Sequence, residues 1–261
     1  KLIGLSLLVM ALARPQSGET VVDVTADGVD IILVLDVSSS MQVKDLGPDN
    51  RLEVAKDVVA EFVEGRQTDR LGMVVFAGES FTQCPLTLDY DVLLSFLDQI
   101  RIAEKDWDGT AIGMAIINAT NRLREAEGRS QVVILLTDGV NNAGEIDPLT
   151  AAEVAAAIGV RVYAIGVGAP GSGGRGRGRT VDFDEETLQQ VAGLTGGRYY
   201  HATSGEKLAE IYDEIGKLET TEITSQIHVN YTERYAAFLW PCLALVLLEF
   251  VLTRTRLRTL P

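Results

Sequence analysis

The stretch that most constrains this chain is Asp30 to Met41, DIILVLDVSSSM. Ile31 to Leu35 are continuously apolar, as in a strand covered on both faces within a parallel sheet. Asp36, Ser38 and Ser40 follow it, alternating with Val37 and Ser39. In extended backbone every second side chain points the same way. One carboxylate and two hydroxyls therefore leave the C-terminal end of the strand on one side. Compact oxygen ligands of this kind suit a hard divalent cation, Mg²⁺ in particular. The same residue types also make an ordinary polar turn capping the next helix, and DxSxS alone is too short to decide between the two.

The rest of the pattern places that strand in an α/β fold. Arg51 to Arg66 is a helix with Leu52, Ala55, Val58, Val59, Phe62 and Val63 on one face and charges opposite. Leu71 to Phe76 is a strand, and Ser80 to Leu86 a more polar one that forms a hairpin with it and lies at an edge. Helices follow at Tyr90 to Ile100 and Thr110 to Ala126, a strand at Gln131 to Leu136 and a helix at Leu149 to Ile158. Arg161 to Val167 is a strand, Asp184 to Leu194 a helix, Gly197 to His201 a strand and Lys207 to Leu218 a helix. Strands alternating with helices imply a doubly wound, mostly parallel sheet with helices on both faces.

Two further stretches bear on the metal reading. DWDGTAIGMAI puts Thr110 at a helix start, and VVILLTDGVNN puts Asp138 just past a buried strand. In an open parallel sheet, loops at the C-terminal strand ends meet over a topological switch point. Asp36, Ser38, Ser40, Thr110 and Asp138, in this order and each after the right element, resemble the metal-ion-dependent adhesion site of von Willebrand factor type A domains. The resemblance covers about Gly28 to Leu218 and implies a Rossmann-like type A fold. It also implies that Ser38, Ser40 and Thr110 bind Mg²⁺ (or Mn²⁺) directly, with Asp36 and Asp138 acting directly or through water. Hydroxyl ligands leave the ion's charge incompletely cancelled, which favours an Asp or Glu carboxylate from a protein partner.

Composition excludes some classes. With 23 basic against 37 acidic residues and a net charge of −14, the chain lacks the basic footprint that nucleic-acid binding needs. Cys84 and Cys242 form no disulfide framework and read as small buried hydrophobes. His201 and His228 have no catalytic or metal-binding neighbours in the sequence and read as structural or surface residues. Gly168 to Arg179, GAPGSGGRGRGR, begins like a dinucleotide motif, but no helix opens on its glycines. It reads as a flexible inserted loop, or as a basic tether through Arg175, Arg177 and Arg179. Asn230-Tyr231-Thr232 fits a glycosylation acceptor, a pattern common by chance.

The ends of the chain are apolar. Leu2 to Ala13 reads as a signal-peptide core or as the end of a transmembrane helix, and the second is preferred. Ala236 to Leu252 is about long enough to span a bilayer, with Tyr231, Tyr235 and Trp240 as interface aromatics. Arg254, Arg256 and Arg258 follow it and mark the cytoplasmic side. Glu249 within that span is either a functional carboxylate or one that snorkels or pairs with Arg254. The chain thus divides into 1–14, a transmembrane end; 15–27, an extended linker; 28–219, the type A domain; 220–234, a connector; 235–253, a transmembrane helix; and 254–261, a basic cytoplasmic tail.

The ALARPQ junction, DEETL and GGRYYHA make the chain similar to the membrane-anchored aerotolerance (Bat-type) proteins of bacteria. That likeness implies an inner-membrane protein with a periplasmic type A domain, alongside other membrane proteins of the same assembly and a MoxR-type AAA+ ATPase, in a chaperone-like or stress-tolerance role. The function expected is non-enzymatic, metal-dependent protein binding. The alternatives are a matrix-type adhesin, or a Mg-dependent hydrolase, for which no histidine base, P-loop lysine or second carboxylate cluster is found.

Overall fold

The computed structural model describes residues 6, 9–10, 12–13, 16–18, 28–124, 130–168, 184–223, 231–233 and 236–254. Contacts divide the chain into two units, Ala26–Ser225 and, separately, Lys1–Thr25 with Gln226–Pro261. The described strands are β1 (Gln16–Gly18), β2 (Asp30–Asp36), β3 (Arg70–Phe76), β4 (Ser80–Thr87), β5 (Gln131–Thr137), β6 (Arg161–Val167), β7 (Tyr199–Ala202) and β8 (Tyr231–Glu233). The helices are α1 (Arg51–Glu64), α2 (Tyr90–Gln99), α3 (Ile112–Arg124), α4 (Pro148–Ile158), α5 (Glu185–Leu194), α6 (Gly205–Ile223) and α7 (Ala236–Arg254).

In the larger unit, six strands form one sheet in the order β4-β3-β2-β5-β6-β7. All neighbours are parallel except β4, which pairs antiparallel with β3 at the edge. The sheet is therefore mixed but mostly parallel. Its central strand β2 is buried along its whole length, and its side chains alternate between two cores. Ile31, Leu33 and Leu35 pack with residues of α1, α2 and α6 on one face. Ile32 and Val34 pack with residues of α3, α4 and α5 on the other. Two-sided burial is what the unbroken apolar run of β2 requires, because neither face can be left to water.

Local chemistry starts the helices. Asn50, Asp89, Asp147 and Asp184 each accept a backbone N–H of the first turn of α1, α2, α4 and α5. Pro148 opens α4, and Gly159, at φ +88°, closes it. From β2 the chain moves to β3 and β4 on one side of the sheet. From β5 it moves to β6 and β7 on the other. The order reverses between β2 and β5, so a crevice opens at their C-terminal ends.

Two expectations change. Arg51 and Lys56 on α1 are buried and not on a solvated face. Lys56 Nζ donates to the carbonyls of Asp98 (3.2 Å) and Ile100 (3.5 Å), which explains how a lysine is tolerated there. The last helix of this unit runs to Ile223, so the connector placed from residue 220 begins as helix. Glu219 holds that end: it is 1 % exposed and accepts from Tyr163 Oη (2.6 Å) and Arg161 Nη2 (2.5 Å). His201 Nε2–H donates to the Gly168 carbonyl (2.9 Å), a structural role.

In the smaller unit β1 and β8 pair antiparallel, with Gln16 opposite Glu233. Pro241 lies inside α7. Among the described residues no helix is long and apolar enough to cross a membrane. Most of the expected N-terminal membrane helix lies outside the described residues. So do Arg175, Arg177 and Arg179, His228, Asn230, Arg256 and Arg258.

Candidate metal centre

Asp36 ends β2 and Asp138 follows β5, so the two carboxylates stand on adjacent strands where the sheet order reverses. Both are buried, as are Ser38 and Thr110. The Ser40 hydroxyl donates to Asp138 Oδ1 (2.5 Å). Ser38 Oγ lies 2.9 Å from Ser40 Oγ, and with the Ser40 proton committed to Asp138, Ser38 is the donor. Ser38 N–H donates to Asp36 Oδ1 (2.9 Å), and the Thr137 hydroxyl to Asp36 Oδ2 (2.6 Å). Thr110 stands against the Asp138 loop: a Cβ added at Gly139 would come within 2.8 Å of Thr110 Oγ1. Gly139 is thus what lets that hydroxyl lie against the loop that follows β5. Four of the five anticipated residues form one hydrogen-bonded group, and the fifth adjoins it.

Cross-links hold the three loops. Ser39 N–H and Oγ–H both donate to Asp108, at 2.9 and 2.6 Å, tying the first loop to the second. These bonds hold the Asp108 carboxyl below its ordinary range. Thr110 N–H donates to Asn142 Oδ1 (2.8 Å) and Ile112 N–H to Asn141 Oδ1 (2.9 Å), tying the second to the third. Asn142 N–H returns a bond to the Thr110 carbonyl (3.1 Å). Ser40–Asp138 and Thr137–Asp36 close the triangle.

The charges in the group are unequally balanced. Arg51 Nη1 donates to Asp138 Oδ2 (2.6 Å), while its Nε and Nη2 grip Asp45 at 2.8 and 2.6 Å. Burial alone would lower the Arg51 pKa, but the bonds to Asp45 and Asp138 outweigh it and raise it. Burial raises the Asp138 pKa, against the pull of Ser40 and Arg51. Asp36 has no such guanidinium: among the described residues no cationic side chain pairs with it. Burial, then the negative charge of Asp138, push its pKa from 3.8 up to about 7. A buried carboxylate repelled by a second carboxylate and lined by hydroxyls is a place where a cation would relieve the repulsion. The donor set therefore fits a hard divalent ion. Among the described residues there is no group of three or more His, Cys, Asp or Glu able to hold a metal, so the candidate depends on its hydroxyls.

The sequence reading missed Arg51, Asp45, Thr137 and Asp108. One signal was available for Arg51. A basic residue at the first position of a helix opposes the helix dipole, so some other charge must hold it there. Thr137 reads as the last residue of a strand, and nothing local marks its hydroxyl.

The family model for the von Willebrand factor type A domain matches residues 30–214. The crystal structure of BatB from Bacteroides thetaiotaomicron is 35 % identical, covering 73 % of this chain and 98 % of that one, with a TM-score of 0.62. An aerotolerance-related membrane protein from Bacteroides fragilis is 31 % identical over 75 % of this chain and 100 % of its own, also at 0.62. Proximal thread matrix protein 1 of the mussel byssus, solved with its adhesion-site motif occupied by zinc, is 25 % identical. It covers 87 % of this chain and 51 % of its own, at 0.60. With the central β2, the switch-point loops and these likenesses together, the chain belongs to the von Willebrand factor type A domain family and resembles its bacterial aerotolerance (Bat-type) members.

Proposed function

We propose that the chain is a non-enzymatic, metal-dependent protein-binding module carried on a membrane anchor. The observation behind this reading is Asp36, a buried carboxylate with no cationic partner among the described residues, set among Ser38, Ser40, Thr110 and Asp138. Mg²⁺ or Mn²⁺ would supply the missing charge, held by Ser38, Ser40 and Thr110 directly and by Asp36 and Asp138 directly or through water. The zinc-occupied site of the mussel protein supports a divalent ion. Arg51 already offsets Asp138, so the ion would keep positive charge and attract an Asp or Glu of a partner protein.

Exposed apolar side chains on α7, among them Leu243, Val246, Leu247, Phe250 and Val251, support an anchor in that segment. The arginines after it favour a cytoplasmic C-terminus and a domain outside the cytoplasm, in the bacterial inner membrane. The Bat-type likeness favours, as partners, other membrane proteins of one envelope assembly and a MoxR-type AAA+ ATPase, in a stress-tolerance or chaperone-like role. Capture from solubilised membranes tests the module. The tagged full chain should retain a protein in Mg²⁺ and release it in chelator, and Asp36→Ala should capture none. Full capture by a folded Asp36→Ala protein that binds no metal would remove the mechanism.

A further inference from the structure

Beside the metal centre lies a cavity of about 270 Å³. Its wall is apolar and includes Val37, Val75, Phe76 and Ala103. Phe81 and Trp107 also line it, with ring centroids 5.8 Å apart in an edge-to-face pair. Both rings are about half exposed, at 50 % and 49 %. Two large aromatics open to water over an apolar cavity are what a binding hot spot looks like before its partner arrives.

The cavity shares its walls with the centre. Val37 sits between Asp36 and Ser38. Trp107 directly precedes Asp108, the acceptor for both Ser39 donors. The walls are pinned by backbone bonds: Val37 N–H to the Phe76 carbonyl (2.8 Å), Ala103 N–H to the Val37 carbonyl (2.8 Å) and Gly78 N–H to the Trp107 carbonyl (2.9 Å). A preformed pocket spares a ligand the cost of ordering it. The loops of the centre also carry exposed apolar residues, Val43 after the first and Val140 in the third.

The charge at the cavity has one sign. Its charged lining side chains are Glu79 and Glu104, both exposed and neither paired with a cation among the described residues. The neighbouring Lys105 and Asp106 are exposed, carry opposite charges and do not line the cavity. Like charges left unpaired around an apolar pocket select a cationic complement and reject an anionic one.

We propose that this cavity receives a large apolar side chain of the protein partner, flanked by a Lys or Arg that reaches Glu79 and Glu104, while the partner's carboxylate engages the metal centre. The proposal rests on the metal-dependent reading for its second contact only, and its test is made without metal. The full chain, labelled with 5-fluorotryptophan, has two tryptophans, and Trp240→Phe assigns their ¹⁹F resonances. Phenethylammonium and 3-phenylpropionate, near-isosteres of opposite charge, are titrated in chelator. The ammonium compound should shift the Trp107 resonance saturably and bind about tenfold more tightly than the carboxylate. The double variant Glu79→Gln, Glu104→Gln should bring the two within about twofold of each other. Carboxylate binding equal to or tighter than ammonium binding, or no shift of Trp107 with either compound at millimolar concentration, would overturn the proposal. Neither result depends on whether the centre holds metal, which calorimetry with Mn²⁺ decides separately.

Discussion

Replacing Asp36 by Asn should stabilise the metal-free protein at alkaline pH while abolishing metal binding. The Asp36 pKa is raised from 3.8 to about 7, first by burial and then by Asp138. A raised carboxyl pKa means that the folded state favours the protonated form. Its stabilising contribution is complete below about pH 3.8 and is lost as pH rises through about 7. Fully ionised at pH 8, the group costs roughly 4 kcal/mol as an upper figure. The Asn carbonyl can still accept from Ser38 N–H, and its NH₂ can donate to the Thr137 hydroxyl, which has two lone pairs. Imperfect hydrogen bonding takes back part of the gain, leaving about 2 kcal/mol, or roughly 4–8 °C in Tm for a domain of this size. Thermal unfolding of the full chain in detergent and chelator reads the effect. The Asp36→Asn protein should melt higher than wild type at pH 8 and lower than it at pH 4, where the wild-type carboxyl is protonated in the fold and the hydrogen-bonding penalty of Asn outweighs the small gain left. Added Mn²⁺ should raise only the wild type. If Asp36→Asn lowers the midpoint at pH 8 in chelator, the carboxylate is satisfied without a cation and the reasoning fails.

Three other expectations follow from single contacts. Gly139→Ala places a methyl 2.8 Å from Thr110 Oγ1; it should weaken Mn²⁺ binding by about tenfold or more while circular dichroism shows the fold intact. Arg51→Met leaves Asp138 and Asp45 without their guanidinium and should cost about 3–5 kcal/mol in chemical denaturation; a loss below about 1 kcal/mol would mean that the pair is as weak as a surface one. For topology, a membrane-impermeant thiol reagent on intact cells should label Ser95→Cys, which is exposed on α2, and miss Thr259→Cys; the reverse pattern would invert the proposed orientation.

Much of the layered fold could be read from periodicity. Arg161–Val167 carries its own boundaries in its apolar run, and β2 could only be a two-sided strand. The clustering of Asp36, Ser38, Ser40 and Asp138 was legible because each sits at or just past the C-terminal end of a buried strand, and such ends converge. What periodicity could not show depends on distant partners. The burial of Arg51 needs Asp45 and Asp138 to be within reach. The extension of α6 to Ile223 depends on Glu219 meeting Tyr163 and Arg161 from another strand. The cavity under Trp107 arises only when the turn before Thr110 folds against β2, β3 and the start of β4, an arrangement with no local signature.

Calorimetric titration of Mn²⁺ or Mg²⁺ into the metal-free full chain addresses the central claim most directly. If the three loops form one divalent-cation site, wild type should bind one ion per chain. Ser38→Ala and Thr110→Ala should bind it more weakly, and Asp36→Ala should give no binding heat while remaining folded. No binding by wild type, or undiminished binding by folded Asp36→Ala, would contradict the account.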